Sequence, residues 1–297
     1  MELETLKSCN LCGAEGILTL DAENNICQCQ LCGYVFDTPR PTAGEVAAFY
    51  SKPGQYKLWI AEGKARDLLW KRRLRKMRRT RKPGKLLDVG TGIGQFLHHA
   101  RAVYSNVYGT EVSDSAIRIA KERYGLEVVQ GDIESIDFGG LKFDTITLFH
   151  VLEHVPNPRS VVEKCRQLLS EGGVLVIAVP NDILCIRPKI KELAMLGKRS
   201  RSDSASKLPL KRIALDGSMQ EIHVSHFTPS VLERFLEACG FTVLENSLDP
   251  FYAATGLRKL REDIYYGTCA VLRVLFRFNI YDAIWVVARN NQATRSL

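Results

Sequence analysis

The sequence has 297 residues, of which 45% are hydrophobic and 25% charged, an ordinary globular composition that excludes disordered and fibrous proteins. The longest apolar run is interrupted by Arg273 and Arg277, and the first residues lack the basic and apolar regions of a signal peptide. Nine cysteines without an export signal favour metal ligands or free thiols over disulfides, so we expect a cytoplasmic protein. The net charge of +8 is uneven, because residues 57–85 carry +11 and residues 187–212 carry +7 on an otherwise acidic body.

Three regions are predicted along the chain. Residues 1–40 hold five cysteines and short apolar stretches, and residues 41–84 form a basic connector with helices at 45–50 and 58–77. Residues 85–297 alternate apolar runs with amphipathic segments, which predicts βαβ units, a parallel sheet and helices on both faces. The predicted strands are Lys85–Val89, Val107–Glu111, Val128–Gln130, Phe143–Phe149, Val174–Val179, Phe241–Asn246 and Ala283–Ala288. Two insertions interrupt the alternation, a polar one at about 181–222 and a helical one at about 255–280.

Two Cys-x2-Cys-Gly motifs, with Cys9 and Cys12 in one and Cys29 and Cys32 in the other, are separated by 16 residues. This spacing is typical of zinc sites, because each tight turn presents two thiolates to a tetrahedral ion. A region of about 40 residues buries too little surface to fold alone, so the metal would stabilise it. Four sulfur ligands leave no position for a substrate. We therefore predict a structural zinc ribbon; the alternative is a set of free thiols.

A glycine-rich turn, Gly90-Thr91-Gly92-Ile93-Gly94, joins the first predicted strand of the alternating region to a helix. Small residues at such a turn let a nucleoside approach the backbone. Glu111 ends the next strand, where a carboxylate accepts hydrogen bonds from ribose hydroxyls. Asp132 and Ile133 follow the third strand, where they would meet the adenine amino group and the ring face. The combination predicts a nucleoside site.

These motifs resemble the class I S-adenosylmethionine-dependent methyltransferases over residues 85–180. The resemblance extends to Cys32-Gly33-Tyr34-Val35-Phe36 and Arg40-Pro41-Thr42, and to His223-Val224-Ser225-His226-Phe227-Thr228-Pro229. Both segments are similar to methyltransferases with an N-terminal zinc ribbon, many of them from bacterial glycan and secondary-metabolite pathways. The resemblance implies an α/β fold with a Rossmann-like seven-stranded sheet of order 3-2-1-4-5-7-6, whose last strand is antiparallel. One departure is Thr91, where cysteine is common in the family.

The resemblance also implies S-adenosylmethionine as cofactor. The predicted cofactor-binding residues are Asp88, Gly90, Thr91, Gly92, Gly94, Gln95, Glu111, Val112, Asp132, Ile133, Phe149 and His150.

Four histidines are candidate catalytic residues. His150 and His154 follow a predicted strand at the sheet edge where ligands bind, and a neutral histidine is the usual base for a hydroxyl acceptor near pH 7. The resemblance brings His223 and His226 to the same rim and favours His223 as base or substrate ligand. A packing or capping role is the alternative for each of the four. A divalent ion held by His150, Glu153 and His154 is a further alternative.

The acceptor is predicted to be a small molecule or glycan intermediate, methylated at oxygen or nitrogen. The basic segment 71–85 is either a solvated helix face or a site for an anionic partner, which leaves ribosomal or transfer RNA methylation as an alternative function. A non-catalytic cofactor-binding scaffold is a third possibility. The resemblance implies that residues 187–212 form a lid over the acceptor pocket, because the corresponding insertion holds the substrate in members of the family. The apolar residues of 257–278 are expected to pack on the sheet, with a membrane-surface helix as the alternative.

Overall fold

The computed structural model describes residues 2–52, 54–80, 84–190, 208–216, 219 and 221–291. At the N-terminus, β1 (Leu3–Glu4) pairs with β5 (Arg40–Pro41), while β2 (Ile17–Asp21), β3 (Ile26–Cys29) and β4 (Val35–Asp37) form an antiparallel sheet. A fourth strand, β11 (Ser225–His226), extends this sheet at β4. The Tyr34 hydroxyl reinforces the pairing by donating to Ser225 Oγ at 2.5 Å. The small sheet therefore combines segments from the two ends of the chain.

The connector contains three helices: α1 (Ala43–Tyr50), α2 (Lys57–Ala61) and α3 (Gly63–Met77). The single helix predicted over 58–77 is thus divided at Glu62, next to Gly63, a residue type that weakens a helix interior by about 1 kcal/mol. The inner face of α3 is formed by Arg66, Leu69, Trp70, Arg73, Leu74 and Met77. Because they recur at helical spacing, these residues form one face of α3, which packs against the helix at Gln95–Ala100.

A seven-stranded sheet forms the centre of the molecule. Its strands are β6 (Lys85–Val89), β7 (Asn106–Glu111), β8 (Val129–Gln130), β9 (Phe143–Phe149), β10 (Leu169–Pro180), β12 (Phe241–Leu248) and β13 (Ala283–Asn290). Their spatial order is β12-β13-β10-β9-β6-β7-β8, and β13 is antiparallel to both neighbours. The predicted order 3-2-1-4-5-7-6 with a reversed last strand is confirmed.

Further helices are α4 (Gln95–Ala100), α5 (Asp114–Tyr124), α6 (Pro158–Leu168), α7 (Pro229–Ala238) and α8 (Gly256–Phe276). Ser113, Asn157 and Thr228 cap three of them, since each side chain accepts a hydrogen bond from a backbone N–H in the first turn. Strands β6, β7 and β9 are parallel, so the residues that follow them lie at one edge of the sheet. That edge holds the candidate site.

Two expectations concern the insertions. The prediction that the apolar residues of 257–278 pack on the sheet is wrong: Cys269 is the one buried residue of α8, and Leu257, Leu260, Ile264, Val271, Leu275 and Phe276 are exposed. The helix packs through its other face, which carries Cys269, Tyr265 and Tyr266. Residues 191–207 of the expected lid lie outside the described residues, so the lid stays a prediction. None of the described helices is long and apolar enough to cross a membrane.

Candidate methyltransferase site

A single cavity at the carboxyl ends of β6, β7 and β9 brings most of the predicted site residues together. The predicted cofactor residues on its wall are Asp88, Gly90, Thr91, Gly92, Glu111, Val112, Asp132, Ile133, Phe149 and His150. Gly94 and Gln95 are not on the wall. Gly94 allows close helix packing, because a Cβ there would lie 2.6 Å from Leu126 Cδ1, and the Gln95 amide bonds Asp67 at 2.9 Å.

The glycine-rich turn leaves room that side chains would fill. Gly90 and Gly92 both have positive φ, +66° and +56°. A Cβ on Gly90 would lie 2.7 Å from Val151 Cγ2, and one on Gly92 would lie 3.0 Å from the Trp59 ring. The backbone can therefore face a ligand directly, as a nucleoside cofactor requires.

Glu111 is held in place by the backbone around it. Its carboxylate accepts hydrogen bonds from the N–H groups of Gly92 at 2.8 Å, Val112 at 2.9 Å and Ser113 at 3.0 Å. Burial raises the pKa of Glu111 above its ordinary value, although these three N–H groups oppose the shift. A carboxylate offers about four acceptor positions, so one remains for a ribose hydroxyl. The geometry fits the predicted role.

His150 occupies a left-handed conformation, with φ +58°, directly after β9. Its Nδ1 lies 3.1 Å from Glu153 Oε1 and its Nε2 lies 2.8 Å from Arg73 Nη2. Because Arg73 can only donate, Nε2 accepts and Nδ1 carries the proton that Glu153 accepts. Both nitrogens of His150 are thus engaged, and its ring lies 4.1 Å from that of Phe251, another wall residue.

His154 also lines the cavity, with a different hydrogen-bond pattern. Its Nδ1 lies 2.6 Å from the carbonyl oxygen of Ile222, so this nitrogen carries a proton and donates it. Its Nε2 is then an acceptor, 3.9 Å from Glu153 Oε1. Burial lowers the pKa of His154 below its ordinary value, which keeps the ring neutral near pH 7.

Glu153 is buried between these two histidines. Burial raises its pKa, but His154 and His150 outweigh that effect, so the pKa lies below its ordinary value and the carboxylate is charged. Its Oε2 is buried and has no hydrogen-bond partner among the described residues. Its backbone carbonyl accepts hydrogen bonds from Val224 and Ser225, which connects the loop after β9 to the strand that enters the small sheet.

His223 and His226 do not line the cavity; they form an ionic cluster behind it. His226 Nδ1 is 3.2 Å from Asp182 and its Nε2 is 3.0 Å from Asp37. His223 Nδ1 is 3.0 Å from the same Asp182 oxygen. Carboxylates at both nitrogens of His226 favour its protonated form, and the contact with Asp37 joins the large domain to β4. The ring centroids of His223 and His154 are 5.1 Å apart, so the cluster contacts the cavity through His154.

The connector supplies the wall that sequence reasoning missed. Tyr50, Tyr56, Trp59, Arg66, Trp70 and Glu221 line the cavity, and all but Glu221 lie on the connector. Arg73 was also missed: it is fully buried and donates to Asp249 and His150. The spacing of Arg66, Trp70, Arg73 and Met77 at three and four residues places them on one helix face, a signal that could have found Arg73.

Several residues of the basic segment 71–85 make contacts within the protein. Arg73 is paired with Asp249, Arg72 lies 3.7 Å over the Tyr252 ring, and Lys76 pairs with Glu245 at 3.0 Å. The exposed basic residues among those described in this segment are Lys71, Arg75, Arg78 and Arg79. A solvated face is therefore confined to these positions, and a test of RNA binding should neutralise them rather than Arg72 and Arg73.

The four predicted zinc ligands converge. Cys9 Sγ lies 3.7 Å from Cys32 Sγ, and Cys12 Sγ lies 3.6 Å from Cys29 Sγ. Four sulfurs at 2.3 Å from one ion in a tetrahedron are about 3.8 Å apart, so this donor set fits zinc. Cys27, buried outside the cluster, lies near the Thr19 hydroxyl.

A comparison with protein-family models gives a result that agrees with the cavity, the sheet order and the glycine-rich turn. The model of a methyltransferase-domain family matches residues 62–246. The chain belongs to this family. Together with the sheet order, the match makes it a class I S-adenosylmethionine-dependent methyltransferase.

Curated relatives include two proteins named ubiquinone biosynthesis O-methyltransferase. The one from Glaesserella parasuis is 35% identical over 107 residues, which are 33% of this chain and 45% of that protein. The one from Colwellia psychrerythraea is 27% identical over 195 residues, which are 62% of this chain and 72% of that protein. The chain thus spans less than half the length of the first relative.

Solved structures show the same fold. A chain of the complex between the Haloferax volcanii Trm112 methyltransferase activator and a methyltransferase superposes with a TM-score of 0.52, 15% identity and coverage of 81% of this chain and 98% of that one. An S-adenosylmethionine-dependent methyltransferase from Listeria monocytogenes gives a TM-score of 0.51, 14% identity and coverage of 75% and 98%. At these identities the likeness concerns the fold alone.

Proposed function

We propose that this chain transfers the methyl group of S-adenosylmethionine to a hydroxyl oxygen of a small-molecule or glycan acceptor, with His154 as the base. The observation that carries the proposal is the hydrogen bond from Nδ1 of His154, a cavity-lining residue, to the Ile222 carbonyl, which leaves Nε2 as an acceptor. A hydroxyl acceptor needs such a base, since it is a weak nucleophile until it loses its proton. The names of the curated relatives also favour oxygen.

Different residues of the cavity would bind different parts of the cofactor and the acceptor. Glu111 would accept a hydrogen bond from one ribose hydroxyl, Asp132 and Ile133 would hold the adenine, and Gly90 and Gly92 would admit the cofactor against the backbone. Bound there, S-adenosylmethionine supplies an electrophilic methyl group on a sulfonium. The chain's aromatic wall of Tyr50, Tyr56, Trp59, Trp70, Phe149 and Phe251 would position the acceptor and exclude water.

In the proposed reaction the methyl group would pass from the sulfonium of the bound cofactor to the acceptor oxygen, with S-adenosylhomocysteine as the other product. The hydroxyl proton passes to Nε2 of His154. The charged Glu153 carboxylate, 3.9 Å from that nitrogen, stabilises the imidazolium that results. His150, engaged by Arg73 and Glu153, positions that carboxylate.

The four clustered cysteines would hold one structural zinc ion. The ion would brace the turns at Gly13 and Gly33, where backbone N–H groups donate to the carbonyls of Cys9 and Cys29. This N-terminal region also contacts the loop that follows His154, because Asn10, in the first turn, and Arg40, on β5, both donate to the Pro156 carbonyl at 2.6 Å.

The test is the variant His154→Gln with His98→Gln, an exposed histidine on α4, as matched control. Acceptor candidates, hydroxylated small molecules and glycans, are screened with labelled methyl donor. We expect kcat to fall about 10²–10⁴-fold in His154→Gln, while calorimetry finds the Kd of S-adenosylhomocysteine within about threefold of the wild type. Because the pKa of His154 is lowered, wild-type kcat should fall as the pH drops through a value below 6.5.

Two results would count against the assignment. An unchanged kcat in His154→Gln would remove this histidine from the reaction. A loss of equal size in His223→Gln, with the acidic limb of the pH profile moved by that variant and not by His154→Gln, would transfer the role of base to His223.

A further inference from the structure

The outer face of α8 carries a stripe of solvent-exposed apolar side chains. Its residues are Leu257, Leu260, Ile264, Val271, Val274, Leu275 and Phe278, the last just beyond the helix end, with exposures of 81% for Leu257, 77% for Val274 and 70% for Phe278. At 100° per residue all seven lie within an arc of about 100°, so they share one side of the helix, although the stripe is interrupted between Ile264 and Val271. An exposed apolar surface of this length marks an interaction site.

The side of α8 opposite the stripe packs against the rest of the protein, and this contact determines which way the stripe faces. Cys269 is buried with Leu248 and Tyr281, and Glu262 pairs with Arg187 at 2.7 Å. At 100° per residue, Leu260 and Val271 lie about 160–180° around the helix from Cys269. The stripe therefore points away from the rest of the chain that the structure describes.

The charges on this segment are predominantly positive. Residues 256–277 contain five basic and two acidic residues, a net charge of +3. Both acidic side chains are neutralised locally, Glu262 by Arg187 and Asp263 by Lys259. Arg261 lies about 80° from the centre of the stripe on one side, and the ion pair of Lys259 with Asp263 lies about 80–120° from it on the other. An apolar stripe bordered by basic residues is typical of helices that lie in the headgroup region of a membrane.

We propose that α8 docks this protein on an anionic lipid surface, with the apolar stripe among the acyl chains and the basic residues against the headgroups. A second copy of the chain fits the stripe less well, because two such helices would face each other with net charges of +3 each. An anionic bilayer supplies both the apolar layer and the opposite charge.

The site lies close to this surface along the chain. Phe251, on the cavity wall and in ring contact with His150, precedes the start of α8 by five residues, a reach of at most about 18 Å. If the proposed methyl transfer holds, on which this step rests, docking would bring the cavity to an acceptor with a membrane-embedded apolar part. Docking itself does not depend on that step.

The test measures cosedimentation with vesicles of phosphatidylcholine, with and without phosphatidylserine. We expect the wild type to bind the anionic vesicles and to dissociate as salt is raised. Val271→Glu should weaken this binding at least tenfold, and Arg261→Ser about fivefold. Leu18→Glu, an equally apolar position of 47% exposure on β2, is the matched control and should bind like the wild type.

Three outcomes overturn the proposal. The first is a wild type that does not bind anionic vesicles. The second is a dimer in light scattering that Val271→Glu converts to a monomer, which would make the stripe a contact between copies. The third is equal loss in Leu18→Glu and Val271→Glu. Binding of S-adenosylhomocysteine, measured in each variant without vesicles, separates a failure of docking from a failure of the methyltransferase site.

Discussion

Glu111→Ala should weaken cofactor binding by an amount that the structure bounds. The carboxylate uses three of its roughly four acceptor positions on the N–H groups of Gly92, Val112 and Ser113, so it offers about one strong hydrogen bond to the ribose. A hydrogen bond to a charged group contributes about 1.5–3 kcal/mol. At about 1.4 kcal/mol per tenfold, the Kd of S-adenosylhomocysteine should rise about 10–150-fold.

Isothermal titration calorimetry measures this Kd directly, and circular dichroism checks that the variant folds. Glu127→Gln, an exposed glutamate beyond α5, is the matched control and should bind like the wild type. Glu111→Gln keeps the shape of the side chain but places an NH2 group near backbone donors, so it should also bind weakly. A folded Glu111→Ala protein with a Kd within threefold of the wild type, or a wild type that prefers a nicotinamide nucleotide, would refute the assignment of Glu111.

Two further predictions concern the small sheet and the cluster behind the cavity. Elemental analysis should detect one zinc ion per chain in the wild type. Cys9→Ser should lose this ion and should lose kcat more than S-adenosylhomocysteine affinity, whereas Cys27→Ser should keep both; a zinc-free wild type would contradict this prediction. Burial lowers the pKa of His226, but Asp182 and Asp37 outweigh it and raise the pKa above 6.5, so its contribution to stability is complete below pH 6.5 and disappears as pH rises through the folded value. His226→Gln should therefore reduce the fall in Tm between pH 6 and pH 9, and an identical slope in both proteins would show that His226 is not charged.

The elements that the sequence predicts well are those whose signal is local. The turn at Gly90 and the position of the Glu111 carboxylate are predicted from a few neighbouring residues. The cysteine cluster is likewise predicted from the spacing of two short motifs. Strand order follows from the family resemblance and from the rules for parallel sheets.

What the sequence does not reveal depends on contacts between distant segments. Tyr50 lies on the cavity wall because α1 packs against Ile222 and Val224, a contact that no local pattern contains. The periodicity of α8 is equally consistent with an apolar face turned inward or outward, and the structure shows that it turns outward. His150 and His154 lie only four positions apart in the sequence, yet only the contacts of Ile222 and Arg73 distinguish their protonation patterns.

The pairing of β11 with β4 limits how this architecture can be divided or recombined. A fragment that ends near residue 41 carries all four clustered cysteines but lacks the edge strand Ser225–His226 and the side chains that cover Tyr34 and Asp37. A chimaera that exchanges this region between homologues should therefore exchange both segments together. During synthesis the edge at β4 stays open until the ribosome has passed residue 226, so the last part of the N-terminal sheet forms after most of the catalytic sheet has been made.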